Sequence, residues 1–332
     1  MGRKALVFAK KLLIFLAGLL LLSLAVFCVS RLAPGDALTA YYGERAEKMS
    51  PRERADAEAR LGLDRPLAVQ YVRWLSGALR GQFGISFKYK TDVLSLIRSR
   101  LGNTLLLGGA GFALIFILAP ALGILCVRFE GRWPDRLICR LGAVSGCIPE
   151  FWLSLLLIAL FSVTLRVLPG SGAYCVGKSG DMADRLEHLV LPLAVVVLSH
   201  LWYYAYPVRS RLIDEVRRDY ILLAKSQGLS RGRILFRHCL RNILPSYLSL
   251  MAVSVPHILG GTYIVEAVFS YPGLGTLSYE SARYKDYNLL MLLCILSGAA
   301  VMLCGALAQA VSRRLDPRMR DDAPPGEARD DG

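Results

Sequence analysis

Long apolar runs separated by polar, basic segments dominate this chain. Six windows hold almost no Asp, Glu, Lys or Arg: residues 12–30, 101–127, 141–165, 189–208, 242–265 and 287–312. Each matches the roughly 20 residues that a helix needs to cross the hydrocarbon core of a bilayer. Backbone groups in lipid must hydrogen-bond within their own segment, and the alternation typical of membrane β-strands is absent from these windows. The pattern therefore predicts an all-α integral membrane protein with six transmembrane helices.

Lys and Arg are concentrated in alternate polar segments. They cluster at the N-terminus, between the second and third windows, between the fourth and fifth, and in the C-terminal tail, whereas residues 166–188 and 268–287 hold few. Basic loops stay on the cytoplasmic side, so both termini are predicted to be cytoplasmic. The net charge of +14 follows from this bias and does not require nucleic-acid binding. No small-residue cleavage site follows the first window, which is therefore predicted to be an uncleaved anchor.

The windows divide the chain into three predicted parts. Residues 1–100 are an anchor helix and an extracytoplasmic segment, residues 101–312 are a five-helix core with a cytoplasmic loop at 209–241, and residues 313–332 are a polar tail predicted to be disordered. In the extracytoplasmic segment, Ser50 and Pro51 predict the start of a helix, and Gly62 predicts its end.

Residues 172–179 match the phosphate-loop pattern letter for letter, with the sequence Gly-Ala-Tyr-Cys-Val-Gly-Lys-Ser. That pattern binds phosphate when it joins a strand to the N-terminus of a helix. Here it lies between two membrane windows, on the predicted extracytoplasmic side. We therefore predict no nucleotide site here, and no catalytic residues elsewhere in the chain.

The eight cysteines do not follow the spacing of metal ligands. Four fall in the apolar windows, where Cys is a small apolar residue, and Cys175 is alone on the predicted outside. The sequence predicts no metal site, no cofactor and no disulfide framework.

The cytoplasmic loop 209–241 carries apolar residues at helical spacing. A single amphipathic helix is predicted from Ser210 to Ser226, with a break at Gly228 and a second helix, capped by Ser230, that continues to Arg241. The alternative is a solvated basic loop that touches lipid headgroups. We favour a docking helix because of the apolar stripe, which comprises Leu212, Ile213, Val216, Tyr220, Leu223 and Ala224.

This segment resembles the cytoplasmic coupling motif of ABC importer permeases. The similarity lies in Ala224, Gly228 and the following Leu-Ser pair, with Leu222-Leu223 standing where the general motif has Glu-Ala. More narrowly, the chain resembles the B-type permease of dipeptide, oligopeptide and nickel importers. The matching stretches cover nearly the whole chain in order and lie at 31–36, 61–67, 70–74, 83–86, 237–245, 266–275, 286–287 and 315–318.

The resemblance implies a type I ABC importer permease fold in the inner membrane and no bond chemistry in this subunit. Its implied partners are a second permease in a heterodimer, two cytoplasmic ATPase subunits and an extracytoplasmic substrate-binding protein. Di- or oligopeptides are the leading substrate class, with nickel or a metal chelate as the alternative. The implied ATPase-coupling residues are Asp219, Tyr220, Leu223, Ala224, Gly228, Leu229 and Ser230.

Two ionisable residues inside the windows are candidates for the transport pathway. Glu150 and His257 each follow a proline at a predicted kink, and ionisable residues in a membrane segment are functional candidates. The alternatives are that Glu150 lies near the cytoplasmic interface and that His257 only packs; His188 and His200 are interpreted as a boundary and a packing residue. An ion-coupled transporter or a membrane enzyme would be a different class, and the latter would need a polar pair such as Glu150 with His257.

Overall fold

The computed structural model describes residues 2–32 and 37–315, with side chains described except at 2–5, 7–8, 37, 252, 256–261, 308 and 311–315. The described chain is helical, and its only β-type pairing is an isolated bridge between Ile85 and Asp92. The helices are α1 (Gly2–Leu32), α2 (Ala37–Tyr42), α3 (Pro51–Leu61), α4 (Leu67–Leu79), α5 (Val93–Arg128), α6 (Trp133–Cys147), α7 (Glu150–Leu157), α8 (Met182–Val216), α9 (Asp219–Ser226), α10 (Arg231–Arg233), α11 (Leu240–Val268), α12 (Leu274–Arg283) and α13 (Tyr287–Leu315).

The all-α prediction is confirmed, and most of the predicted spans appear as long helices. Within the described residues, α1, α5, α8 and α13 contain stretches long and apolar enough to cross a membrane. The bent pair formed by α6 and by α7 with its π-helical continuation Ile158–Thr164 adds a fifth candidate. Helix α11 covers the window 242–265, but some of its side chains are outside the description. The count of six spans and the cytoplasmic termini stay predictions.

The third window, 141–165, is not the continuous helix that its length predicts. Helix α6 ends at Cys147, α7 begins at Glu150, and the two directions differ by 102°. Pro149 lacks a backbone N–H and disfavours helical geometry in the residue before it, and Ile148 is accordingly extended, with φ −81° and ψ 121°. The third segment is therefore a bent helix pair, which is the geometry of a broken span or of a re-entrant loop.

The chain forms two compact units. The first contains the N-terminal part up to Gly102 together with Gly273–Met302, and the second contains Asn103–Pro272 with the chain from Leu303 onward. Residues 273–302 thus group with the N-terminal part and not with the predicted core at 101–312. Residues 33–36 of the first matching stretch and residues 316–332 of the tail lie outside the described chain, so the disorder of the tail stays a prediction.

In the first unit, the predicted helix after Ser50 is confirmed. The Ser50 side chain accepts a hydrogen bond from the backbone of Glu53, whose carboxylate accepts one in return from the Ser50 backbone. Pro51 occupies the first turn, and Gly62 ends the helix with φ 68°. This reciprocal cap depends on nearby residues, which is why the sequence alone was sufficient.

Two of the matching sequence stretches meet in the first unit. Asp286, fully buried before α13, accepts hydrogen bonds from the Ser86 hydroxyl and, at 3.2 Å, from the Lys88 backbone N–H. Its other carboxylate oxygen accepts one from the Leu289 N–H at 3.4 Å and caps the helix. A single carboxylate therefore joins residues 86–88 to the start of α13.

Helix α8 is at the centre of the second unit. It packs against α6, α7 and α11, and its buried residues include Val195, Tyr204 and Leu212. Where α6 crosses it, a Cβ at Gly142 would lie 2.2 Å from the ring of Trp202. A glycine is required there because a side chain would have to occupy the space of the indole.

Candidate coupling site and pathway residues

The segment predicted to be cytoplasmic folds differently from the single helix predicted over Ser210–Ser226. Helix α8 ends at Val216, Arg218 is extended with φ −69° and ψ 148°, and α9 begins at Asp219. On one straight helix, positions 212 and 221 would point in opposite directions, because they are two and a half turns apart. The break allows Leu212 and Ile221 both to be buried in the same core.

The predicted turn after this helix is confirmed. Gly228 has φ +75°, which favours glycine, and the Leu229 N–H donates to the Ala224 carbonyl at 3.2 Å. The Ser230 hydroxyl caps the next helix by accepting from the Arg233 N–H at 3.4 Å. From there α10, a π-helical turn at Ile234–Cys239 and α11 follow without interruption. We call residues 219–230 the elbow.

Helix α9 has one buried and one exposed face. Ile221 and Ala224 are packed in the core, whereas Leu222 and Leu223 are 57% and 60% exposed. Ala224, expected to contact a partner, is therefore a packing residue. Of the other expected contacts, Leu229 is half-buried, and the exposed ones are Asp219, Tyr220, Leu223, Gly228 and Ser230.

Leu222 is an exposed apolar elbow residue that the sequence prediction omitted. Its only signal was the Leu-Leu pair at the position where the general motif has Glu-Ala. The sequence could not show whether either leucine faces the core or the solvent, because the direction of each side chain depends on the break at Arg218.

A polar cluster holds the elbow to two long helices. The Tyr220 hydroxyl donates to Glu215 at the end of α8 over 2.5 Å, and the Asn242 amide at the start of α11 donates to both Glu215 and Tyr220 at 3.0 and 2.9 Å. Burial and the neighbouring Glu215 carboxylate raise the pKa of Tyr220, so its phenol remains a protonated donor in the physiological range. The elbow is thus joined to α8 and α11 by hydrogen bonds as well as by packing.

An ion pair fixes the first turn of α6 to α8. Both carboxylate oxygens of the buried Asp135 accept from the Arg209 guanidinium, at 2.8 and 2.9 Å, and one also accepts from the Gly131 N–H at 3.0 Å. Two parallel hydrogen bonds give such a pair a defined orientation. The C-terminal part of α8 is therefore also anchored to α6.

Glu150 and His200 form the polar contact near the bend of the third segment. A carboxylate oxygen of Glu150 lies 3.6 Å from Nδ1 of the buried His200, which is also 3.0 Å from the Val196 carbonyl. Glu150 is the first residue of α7, where the helix N-terminus favours a negative charge. His200 was expected to be a packing residue, and the side chain of His257, the other pathway candidate, lies outside the described part.

Glu266 is a buried carboxylate that the sequence analysis did not single out as a site. Glu266, fully buried near the end of α11, accepts from the hydroxyl of Thr104 on α5 at 2.9 Å and from that of Thr262 at 3.3 Å. The available signal was a lone Glu directly after the apolar window. Its role is to join α5 to α11.

The segment that matches the phosphate-loop pattern has a different geometry. The Cys175 N–H donates to the Asp184 carboxylate at 2.6 Å, and the Gly172 N–H donates to the Phe269 carbonyl at 2.8 Å. The Asp184 carboxylate already occupies the Cys175 N–H and would repel a phosphate, and the next helix begins only at Met182. This arrangement disfavours phosphate binding.

Taken together, the long apolar helices, the anchored elbow and the polar contacts between helices are typical of a multi-pass membrane permease. The family comparison identifies it more narrowly. The chain belongs to the family described as the binding-protein-dependent transport system inner membrane component, whose model matches residues 119–321. The model for the N-terminal part of these membrane components matches residues 6–108.

Relatives and solved structures agree with this assignment. The chain is 32% identical over 305 residues to the oligopeptide transport system permease protein AppB of Bacillus subtilis, covering 92% of this chain and 95% of AppB. It is 31% identical over 312 residues to the glutathione transport system permease protein GsiC of Escherichia coli, covering 94% and 97%. A chain of the inward-facing MetNI methionine ABC transporter has the same fold, with a TM-score of 0.52, 17% identity and coverage of 67% of this chain and 97% of that one.

The predicted class is thereby confirmed. The chain is a multi-pass inner-membrane permease subunit of an ABC importer, and it is not itself an enzyme. It works with ATPase subunits and a substrate-binding protein. The ion-coupled transporter and the membrane enzyme are therefore not supported.

Proposed function

We propose that this chain conducts peptides as one of two related permease subunits of an importer, with its elbow as the ATPase dock. The names of AppB and GsiC, proteins of oligopeptide and glutathione transport, support a peptide substrate. Neither of these two supports nickel. The pairing with a second, related permease rests on the resemblance to the B-type permeases.

The elbow supports docking because its exposed surface is apolar while its other face is fixed. Leu222 and Leu223 point away from the core on a helix anchored by Tyr220 and by the buried Ile221. Covering a leucine side chain contributes at most about 1.5–3 kcal/mol, so two adjacent leucines favour a protein partner over water. The proposed contact residues are Asp219, Tyr220, Leu222, Leu223, Gly228, Leu229 and Ser230, with Ala224 holding α9 in place from inside.

The hydrogen bonds that join the elbow to α8 and α11 suggest how movement of the elbow is transmitted to the membrane helices. Tyr220 and Asn242 connect the elbow to α8 and α11, and α8 also carries His200 beside Glu150. Closure of the ATPase pair would move the elbow as a rigid piece and α8 with it. Such rigid-body movement can alternate access to a central pathway. In this proposal Glu150 lines the pathway, and His257 remains a candidate from sequence alone.

The variant Gly228→Trp tests the dock. A Cβ at Gly228 meets no atom within 4 Å, so an indole would project from the elbow into the space of a partner, and φ +75° adds strain. We expect recovery of the ATPase with the tagged permease to fall at least about tenfold, equivalent to about 1.4 kcal/mol. The measurement is quantitative co-purification at matched permease levels.

Gly177→Trp is the matched control. Gly177 has φ +85° and also has no atom within 4 Å of its added Cβ, but it lies in the loop 172–181 on the predicted extracytoplasmic side. Its substitution should leave ATPase recovery unchanged. A Leu222→Ser and Leu223→Ser double variant removes only the apolar contact and should also reduce recovery. Normal recovery in both elbow variants would refute the dock.

The substrate class is tested on the substrate-binding protein that works with this permease. Calorimetry should detect binding of di- or oligopeptides and no binding of Ni²⁺. The opposite result would replace peptide with nickel and would leave the dock unaffected.

A further inference from the structure

The loop before α8 brings three metal-binding residue types together in the second unit. One ligand atom each from Cys175, Asp184 and His188 lies within 4.8 Å of the others. Asp184 and His188 are buried, one turn apart at the start of α8, and Cys175 is exposed in the loop. The spacing of the cysteines gave no indication of this group, because two of its members are not cysteines and the loop conformation brings them together.

The histidine is held in the orientation of a metal ligand. Its Nδ1 lies 2.8 Å from the Asp184 backbone carbonyl, so the Nδ1–H donates there and Nε2 keeps its lone pair. That Nε2 lies 4.0 Å from the Cys175 sulfur. Metal-binding histidines are typically held in this way, with the second ring nitrogen donating to a backbone carbonyl or carboxylate.

The carboxylate completes the group. An oxygen of Asp184 accepts the Cys175 N–H at 2.6 Å, which holds the loop against the first turn of α8. The same carboxylate oxygen is 3.7 Å from Nδ1 of His188. One sulfur, one imidazole nitrogen and one carboxylate oxygen, from a loop and from a helix, therefore lie within 4.8 Å of one another.

We propose that Cys175, Asp184 and His188 bind one Zn²⁺ ion, with a fourth position open to solvent. Thiolate, imidazole and carboxylate are the ligands that zinc uses in proteins. Zinc bond lengths and a tetrahedral angle place sulfur and nitrogen about 3.6 Å apart, so the exposed Cys175 side chain needs to move by only a few tenths of an ångström. The ion fastens the loop to α8 and is not cargo.

A second group of this kind makes a useful contrast. Cys126, Asp135 and Cys139 also have ligand atoms within 4.8 Å of one another. However, both Asp135 oxygens already accept from Arg209, and a cation would have to displace the guanidinium. We assign that group to the ion pair and not to metal binding.

The test measures metal retention by the purified complex that contains this permease. The complex is stripped with EDTA, incubated with Zn²⁺, desalted and analysed for zinc, with Co²⁺ as a spectroscopic probe of thiolate ligation. Wild type should retain one zinc more per permease than Cys175→Ser or His188→Asn. The Asn amide can still donate to the Asp184 carbonyl, but it removes Nε2. Zinc should also protect Cys175 from a maleimide, and EDTA should reverse the protection.

Two controls fix the interpretation. Cys139→Ser should leave zinc retention unchanged. His200→Asn should do the same, because His200 makes the same kind of contact, to the Val196 carbonyl one turn earlier, but belongs to neither metal-binding group found among the described residues. The proposal is overturned if wild type retains no more zinc than Cys175→Ser, or if either control loses zinc equally. Failure of this test would not affect the dock or the peptide substrate, which are measured separately.

Discussion

At the scale of single residues, Glu150 is the side chain with the strongest reason to face a hydrated path. Inserting a charged residue at the centre of a bilayer costs about 2.5–3.5 kcal/mol on translocon scales. The start of α7 lowers that cost, and the imidazole of His200 lies 3.6 Å from the carboxylate. A carboxylate in this position can attract the ammonium group of a peptide.

The variant Glu150→Gln should therefore reduce uptake severalfold while leaving the protein level and ATPase recovery near wild type. It keeps the shape of the side chain and removes its charge. The measurement is uptake of a labelled peptide by cells that carry the intact partner subunits. Glu187→Gln, an exposed residue at the start of α8, is the control. Uptake at the wild-type level by the Glu150 variant would contradict a role in the pathway and would leave Glu150 only as a structural partner of His200.

At the scale of helices, the close contact of α6 with α8 depends on Gly142, which has no side chain. We expect Gly142→Ala to destabilise the second unit by about 1–3 kcal/mol, the usual cost of overpacking. The reason is that the added Cβ would lie 2.2 Å from the Trp202 ring. Thermal unfolding of the purified permease in detergent measures the effect as a lower midpoint.

Gly146→Ala is the control for that experiment, because Gly146 is one turn further along α6 and its added Cβ meets no atom within 4 Å. It should be neutral or slightly stabilising, since Ala has the higher helix propensity. Equal midpoints for the two variants would mean that α6 and α8 are not in close contact at Gly142.

Helix boundaries also illustrate what sequence can predict. The caps at Ser50 and Ser230 and the turn at Gly228 were correct, because each depends on residues within a few positions. The break at Arg218 was missed, because it follows from the need to bury both Leu212 and Ile221 in one core. No residue near Arg218 indicates that requirement.

At the scale of the whole molecule, ATP hydrolysis belongs to the partner subunits. Lys178→Ala should therefore leave the ATPase activity of the reconstituted complex within about twofold of wild type, a barrier change of less than about half a kcal/mol. The loop that contains Lys178 has its Cys175 amide bound to Asp184 and offers no cradle for phosphate. Photolabelling of the isolated permease by an ATP analogue at this loop would contradict the prediction.

The sequence by itself determined the class of protein, the helical architecture and the position of the elbow, because hydrophobic periodicity, charge bias, caps and motifs are properties of neighbouring residues. Only the tertiary structure decided the 102° bend at Pro149, the inward and outward residues of α9, and the partners of the buried polar groups. Glu150 meets His200, and Cys175 meets Asp184 and His188, through the way helices and loops pack. Such contacts join residues that are far apart in the sequence, and no local sequence pattern specifies which of these residues will pack together.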